Sequence, residues 1–423
     1  MSYANGAIKT MYIDPVSFVP NGRCAFELDA TKLAYLPNMR LLNLGCDNAT
    51  GPLDYSRGLG AVALIKNCRL MDARTEISAL RNVAPYAFFK NMNRSNSINK
   101  SNDSFYKRNS LGYDINGLNN NIEHIYDSGK SDTAASGATA TAYVDLRELL
   151  PALGGGGLPV LPSSVFSNLR IEIEFDANRA NQILVTNNSA VTMLRPILAV
   201  DYIDDMAVAQ PLMDMLDKGI VWNEIQWDNF LIPAVDTSGG GWANDKVAIQ
   251  TRTNQSMGFK GKSLNRLLIQ KQLVDRTQEV TGGNNVNGFG AIASSQALLN
   301  ETTQVNLNGK PIWSGVNGVN RPNAMLGTVV DAYDELQSFP GSNLYLWNQQ
   351  GNLNTDTFTG GQAAWSCCEV GARVAELQVT ISRNNVKDTG ARTPTNSAIQ
   401  VNLYGEVLKA ITFQNGGYSV MFA

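Results

Sequence analysis

LRIEIEFDANRANQILVTNNSAVTMLRPILAVDYI, Leu169 to Ile203, opens on a strict alternation. Leu169, Ile171, Ile173 and Phe175 fall on one side; Arg170, Glu172 and Glu174 fall on the other. A period of two with a charged outer face is the pattern of a half-buried β-strand. A second copy, LQVTISRNNVKDTGARTPTNSAIQVNLYGEVLKAI, runs from Leu377 to Ile411 and aligns without a gap at an offset of 208 (377 − 169). Each copy reads strand, long polar loop, strand. Ile171, Ile173, Val379 and Ile381 are therefore expected in a core. A weaker echo links Leu70–Ile77 (LMDARTEI) to Leu273–Val280 (LVDRTQEV) at an offset of 203. Two such matches in the same order point to one β-fold built twice.

Composition agrees. The chain has 423 residues, 43% hydrophobic and only 17% charged, with 37 Gly and 15 Pro. This is a turn-rich, low-charge chain long enough for two or three domains. A net charge of −3 argues against nucleic-acid coating as its main work. No apolar run is long enough to span a bilayer, and no basic-then-apolar leader follows Met1. Cys24, Cys46, Cys68, Cys367 and Cys368 lack CxxC spacing and read as buried free thiols of a reducing compartment.

The expected organisation is an N-terminal arm outside the first core (1–21), a first domain (22–205) with an insertion at about 91–141, a connector (206–219), a second domain (220–413) with an insertion at about 313–365, and a tail (414–423). Within it, residues 24–28 and 41–44 read as strands flanking a turn near Pro37-Asn38, and 61–71 as an apolar strand. Ile77, Leu80 and Ala84 at helical spacing predict a short helix over 74–83. Val144–Leu150 predicts one or two helical turns before Pro151. The connector is expected to be partly helical, its methionines packed between domains. Strands are expected at Val221–Trp227 and Lys246–Thr251. Leu267–Val274 reads as the counterpart of strand 61–71, and Gln304–Leu307 as a strand entering a tight turn at Asn308-Gly309.

The search for chemistry is mostly negative. Gly129-Lys130-Ser131 and Gly261-Lys262-Ser263 lack the earlier glycine of a phosphate loop; His124 and Ser256 stand there instead. Gly154–Gly157 reads as a flexible loop tip. His124, the only histidine, sits in an Asn-rich loop with no nucleophile nearby, and Asp201, Asp204 and Asp205 read as a solvated strand end rather than a cation site. Lys90, Arg94, Lys100, Lys107 and Arg108 interleave with Phe89, Phe105 and Tyr106; a loop packing on a neighbouring subunit is favoured over single-strand binding. No catalytic, cofactor-binding or metal residue is assigned.

Two similar β-domains with large loops and no active site suggest a building block. GLGAVALIKNCRLMDARTEISALRNV (Gly58–Val83) and VDLRELLPALGGGGLPVLPSSVFSNLRIEIEF (Val144–Phe175) resemble the double jelly-roll major capsid proteins of polinton-like viruses, virophages and related double-stranded DNA viruses. So do GKSLNRLLIQKQ (Gly261–Gln272) and ETTQVNLNGKPI (Glu301–Ile312). The resemblance implies an all-β fold of two tandem eight-stranded antiparallel jelly rolls with long loop insertions and a few short helices. It implies no enzyme and no cofactor. Homotrimers with a pseudo-hexagonal outline would tile an icosahedral shell, meeting neighbouring capsomers, penton and minor or cement proteins, and an internal membrane in some relatives. No sequence-specific nucleic-acid binding is implied, and the location is the virion shell after synthesis in the host cytoplasm. The insertions 91–141 and 313–365 are expected to interlock across the threefold interface. Two other classes stay open: a tandem carbohydrate-binding jelly roll using Trp222, Trp227, Trp313 and Trp347, and a β-sandwich glycoside hydrolase with Glu172 and Glu174 as its carboxylate pair.

Overall fold

A computed structural model describes residues 7–48, 62, 64–92, 138–175, 191–232, 247–253, 258–273, 301–311, 365–384, 399–414 and 416–423. The expected insertions, His124, Gly129-Lys130-Ser131, Trp313 and Trp347 lie outside the described residues, apart from the insertion edges at 91–92 and 138–141.

The first half contributes β1 (Ile8–Ile13), β2 (Ser17–Phe18), β3 (Arg23–Glu27), β4 (Ala34–Asn48), β5 (Ile65–Asp72), β6 (Thr75–Arg81), β7 (Ala138–Asp145), β8 (Leu161–Pro162), β9 (Leu169–Phe175), β10 (Val191–Met193) and β11 (Ile197–Ile203). Among the described residues two α-helices accompany them, α1 (Val83–Met92) and α2 (Met206–Met213). One sheet runs β1-β11-β4, with β10 continuing β11 along one edge of β4 and β7 and β8 along the other. The other runs β2-β3-β9-β5-β6. The second half contributes β12 (Ile220–Ile232), β13 (Val247–Thr253), β14 (Ser263–Leu273), β15 (Glu301–Leu307), β16 (Lys310–Pro311), β17 (Trp365–Arg373), β18 (Leu377–Asn384), β19 (Ile399–Gln414) and β20 (Gly417–Phe422). Its sheets run β12-β19-β14-β17, with β20 also on β19, and β13-β18-β15-β16.

Counting the eight principal strands of each half in chain order, both give first-eighth-third-sixth and second-seventh-fourth-fifth, the jelly-roll order. The repeated segments occupy the same places: β9 and β18 are both seventh, β11 and β19 both eighth. The equivalence extends to single hydrogen bonds. Each fourth-to-fifth hairpin closes with two residues, Ala73-Arg74 and Asn308-Gly309, with positive φ at Ala73, Asn308 and Gly309 as tight hairpin turns demand. In each, the first loop residue donates its N–H to the carbonyl just before the seventh strand: Ala73 to Asn168 at 3.0 Å and Asn308 to Glu376 at 2.7 Å.

Alternation places the core. Ile171, Ile173 and Val379 are fully buried, while Arg170, Glu172 and Glu174 look outward; Ile381 lies on β18 beside Gln250 and Thr303. The chain divides into two compact units whose limits fall inside α1, β12 and β19. Of the described residues, the first holds β1 to β11, the start of α1 as far as Ala87, α2, Ile220–Ile225 and Leu408–Ala423; the second holds the rest of α1 and those between Gln226 and Val407.

Several expectations are corrected. Residues 8–13 are not an arm outside the core but the first strand of the first roll, paired residue for residue with β11. The tail 417–422 is β20, paired with β19. Residues 75–81 form a strand, not a helix: Ile77, Ser78, Ala79 and Leu80 are all buried, so both faces are covered and the alternation that marks a strand is erased. No turn breaks the chain at Pro37-Asn38. β4 runs through it, and the register against β11 slips between Val200/Met39 and Tyr202/Tyr35, a bulge where a proline is tolerated. Leu267–Leu273 lies on β14, a third strand, whereas 65–71 lies on β5, a fourth, so these two are not counterparts; of the second segment of the 203-offset echo only Leu273 is among the described residues. The connector is helical, yet Met206 and Met215 face solvent while Ala209, Leu212 and Leu216 pack inward. After β7, Leu146–Glu148 makes a single 3-10 turn.

Candidate functional site

The outward face of β3, β9 and β5 carries a ladder of charges set by strand register. Glu27, Arg170 and Met71 form one row, Ala25, Glu172 and Arg69 the next, Arg23, Glu174 and Asn67 the third. Arg69 Nη2 lies 2.9 Å from Glu172, Lys66 Nζ 2.8 Å from Glu174 and Arg170 Nη1 3.8 Å from Glu27. Asn67 Nδ2 donates to Glu174 at 2.6 Å. The hydrogen bond from Lys66, with that from Asn67, holds the Glu174 carboxyl below its ordinary range. A glycosidase acid needs the opposite shift. Glu172 and Glu174 are thus ion-pair members of a sheet face. The β2–β3 hairpin borders this face, and the groove so formed has a volume of about 900 Å³.

A second polar centre lies inside the first unit. Glu224 is buried on β12, where the Ser78 hydroxyl donates to both its oxygens (3.1 and 3.0 Å), the Ala79 N–H to Oε1 (2.7 Å) and the Trp222 indole to Oε2 (2.6 Å). Burial raises its pKa, opposed by the charge of Lys409 and by these donors. Burial lowers that of Lys409, opposed by Glu224 and Glu76. Lys409 Nζ donates to the Glu76 carbonyl at 3.3 Å and sits 5.2 Å from the Phe422 ring centre. Among the described residues every hydrogen bond to Glu224 comes from a core donor, so the group ties β6 to β12. Sequence reading passed over it, although Trp222 and Glu224, two apart on one strand, share a face.

The remaining candidates resolve into structural roles. Trp222 is 4% exposed, and the Trp227 indole donates to Asn402 at 3.2 Å, so neither is a free sugar platform. Asp201 is buried in β11, not solvated: it accepts from Thr10 Oγ1 at 2.6 Å and from Asn38 Nδ2, and lies 3.4 Å from Arg40, pinning the bulge at Pro37. Asp204 lies 3.8 Å from Lys9, and Asp205 caps α2 by accepting from the Ala207 N–H at 2.9 Å. Gly261 and Lys262 form the turn into β14, Lys262 reaching Gln226 Oε1. Gly155 and Gly156 are open loop tip, but Gly157 is packed: a Cβ there would stand 2.2 Å from the Ala152 carbonyl oxygen. Cys24 and Cys68 are buried free thiols, and burial pushes each up to about 12. Cys46 lies on β4, and Cys367 and Cys368 are consecutive on β17 opposite Leu268 and Leu267. Phe89 and Lys90 lie on α1; Arg94, Lys100, Phe105, Tyr106, Lys107 and Arg108 are outside the described residues. Among the described residues no group of three or more His, Cys, Asp or Glu could hold a metal ion, and no helix is long and apolar enough to cross a membrane.

No protein-family model matches the sequence, and no curated protein does. Solved structures do match, over the whole chain. VP54 of PBCV-1, fitted into a reconstruction of the virophage Sputnik, is 10% identical with a TM-score of 0.58, covering 100% of this chain and 99% of its own. The chain has the double jelly-roll fold of viral major capsid proteins. The cryo-EM structure of the Sputnik virophage aligns at 11% identity and a TM-score of 0.55, covering 100% and 89%. The mavirus major capsid protein does so at 10% and 0.53, covering 100% and 91%. A double jelly roll explains why each sheet order occurs twice.

Proposed function

We propose that this chain is a structural major capsid protein whose homotrimers form pseudo-hexagonal capsomers of an icosahedral shell. The observation that carries this reading is the same eight-strand order occurring twice in one chain. Three chains then supply six similar rolls, a ring with threefold chemistry and near-sixfold shape that suits a lattice. The two rolls act as its repeating lobes, the first beginning at β1. Fold likeness to the PBCV-1, Sputnik and mavirus structures supports the reading. Its partners are further copies of itself and neighbouring capsomers, then penton and minor or cement proteins and, where the particle has one, an internal membrane. Its place is the virion shell, reached after synthesis in the host cytoplasm, and its role is structural, not catalytic. Neither alternative gains support: Trp222 and Trp227, the two candidate tryptophans among the described residues, are engaged, and Glu172 and Glu174 are salt-bridged. Electron microscopy of the purified chain tests the proposal. Class averages with a six-lobed outline are expected; isolated two-lobed particles at every concentration would overturn it.

A further inference from the structure

The groove on the outward face of β3, β9 and β5 is electrically opposite to the chain that carries it. Arg23, Lys66, Arg69 and Arg170 outnumber Glu172 and Glu174 along its lining, four to two, in a chain of net charge −3. Lys66 and Arg69 are neutralised by the two glutamates, and Arg170 faces Glu27. Arg23 is exposed and has no partner among the described residues. Two further polar atoms of the lining are shielded from water without a hydrogen bond among the described residues, Arg170 Nε and Asn21 Oδ1. A shielded donor and acceptor left unpaired are destabilising, and an incoming polar chain would relieve them. The wall is apolar: Val16 and Val19 are 60% and 52% exposed.

The same unit carries a surface of the complementary kind. Residues 204–218 hold Asp204, Asp205, Asp214 and Asp217 against a single lysine, Lys218. Met206 and Met215 are 51% and 47% exposed, and the solvent side of this segment, including Gln210, Pro211 and Asp214, follows helical spacing. A helix flanked by four aspartates, with Met206 exposed on it and Met215 just beyond it, matches a groove with an excess of cations and two exposed valines in charge and in apolar character.

We propose that the α2 segment (204–218) of one copy of this chain docks in the β3-β9-β5 groove of another, Asp214 and its neighbours facing Arg23. The contact rests on the capsid reading and names one surface pair through which copies join. Chains bearing Arg23→Cys and chains bearing Asp214→Cys, mixed, assembled and oxidised, should give a disulfide-linked dimer that neither gives alone. Arg23→Glu or Asp214→Arg should raise the concentration needed for assembly by roughly tenfold or more, since like charges then meet. The double exchange R23E/D214R should restore it. Arg23→Ala, which places no acid beside Glu174, should show a smaller loss with an unchanged unfolding temperature. Assembly at the wild-type concentration by both single charge reversals, or assemblies without the mixed cross-link, would overturn the inference and leave the capsid reading standing. A wild-type chain that never self-associates would overturn both.

Discussion

Lys409 and Glu224 set the most informative residue-scale balance. Both charges are buried, and each offsets the other's desolvation. Lys409→Met removes the one charge that acts on Glu224 among the described residues and leaves the carboxyl with its core donors; Glu76 and Arg81 act on Lys409 itself. The folded pKa of Glu224 then climbs further above its unfolded value of about 4.3. Stability is intact below that unfolded value and falls as pH rises through the folded one. Thermal unfolding should therefore show Lys409→Met costing little near pH 4 and about 3–5 kcal/mol near pH 8. A cost independent of pH would mean the pair is not coupled. The thiols give a second check. Cys24 and Cys68 both oppose Ile173, one from each side, so they stand two strand spacings apart, about 9.6 Å. That exceeds the roughly 7 Å limit of a disulfide. With both thiols pushed up to about 12, neither should react with an alkylating reagent at pH 8 in the native protein, and both should after unfolding. Mass spectrometry of the labelled protein reads this directly.

Among the elements, β1 matters most for what it covers. It pairs six residues, Ile8–Ile13, with β11, and Thr10 delivers a hydroxyl to the buried Asp201. Deleting residues 1–13 should expose the β11 edge, lower the unfolding temperature and promote aggregation, as measured by calorimetry and turbidity. An unchanged transition would show that this strand is dispensable. How far such elements could be read from the chain depended on whether their two faces differ. β9 and β18 have one buried and one wet face, so alternation announced them and their repeat located the eighth strands as well. β6 is buried on both faces, so Ile77, Leu80 and Ala84 imitated helical spacing. β1 was missed because Lys9, Thr10 and Tyr12 are polar or exposed and its pairing partner lies nearly two hundred residues away. Pro37 looked like a turn because the bulge that tolerates it is closed by Asp201, which only tertiary pairing brings there. The buried Glu224 was invisible for the same reason, its partners Ser78 and Ala79 being distant in sequence.

For the molecule as a whole, duplication is the physical fact on which the proposed function rests. Each roll repeats strand order, hairpin loop length and a hydrogen bond from the loop N–H to the carbonyl before the seventh strand, so the proposed threefold assembly would repeat two near-equivalent rolls. If the proposed trimer is obligate, it should bury on the order of 2,000 Å² or more at each interface. Sedimentation equilibrium of the purified chain, over a hundredfold range of concentration, tests that most directly. The account predicts one species with three times the 45.8 kDa chain mass, unchanged on dilution; a species that stays at 45.8 kDa throughout would contradict it.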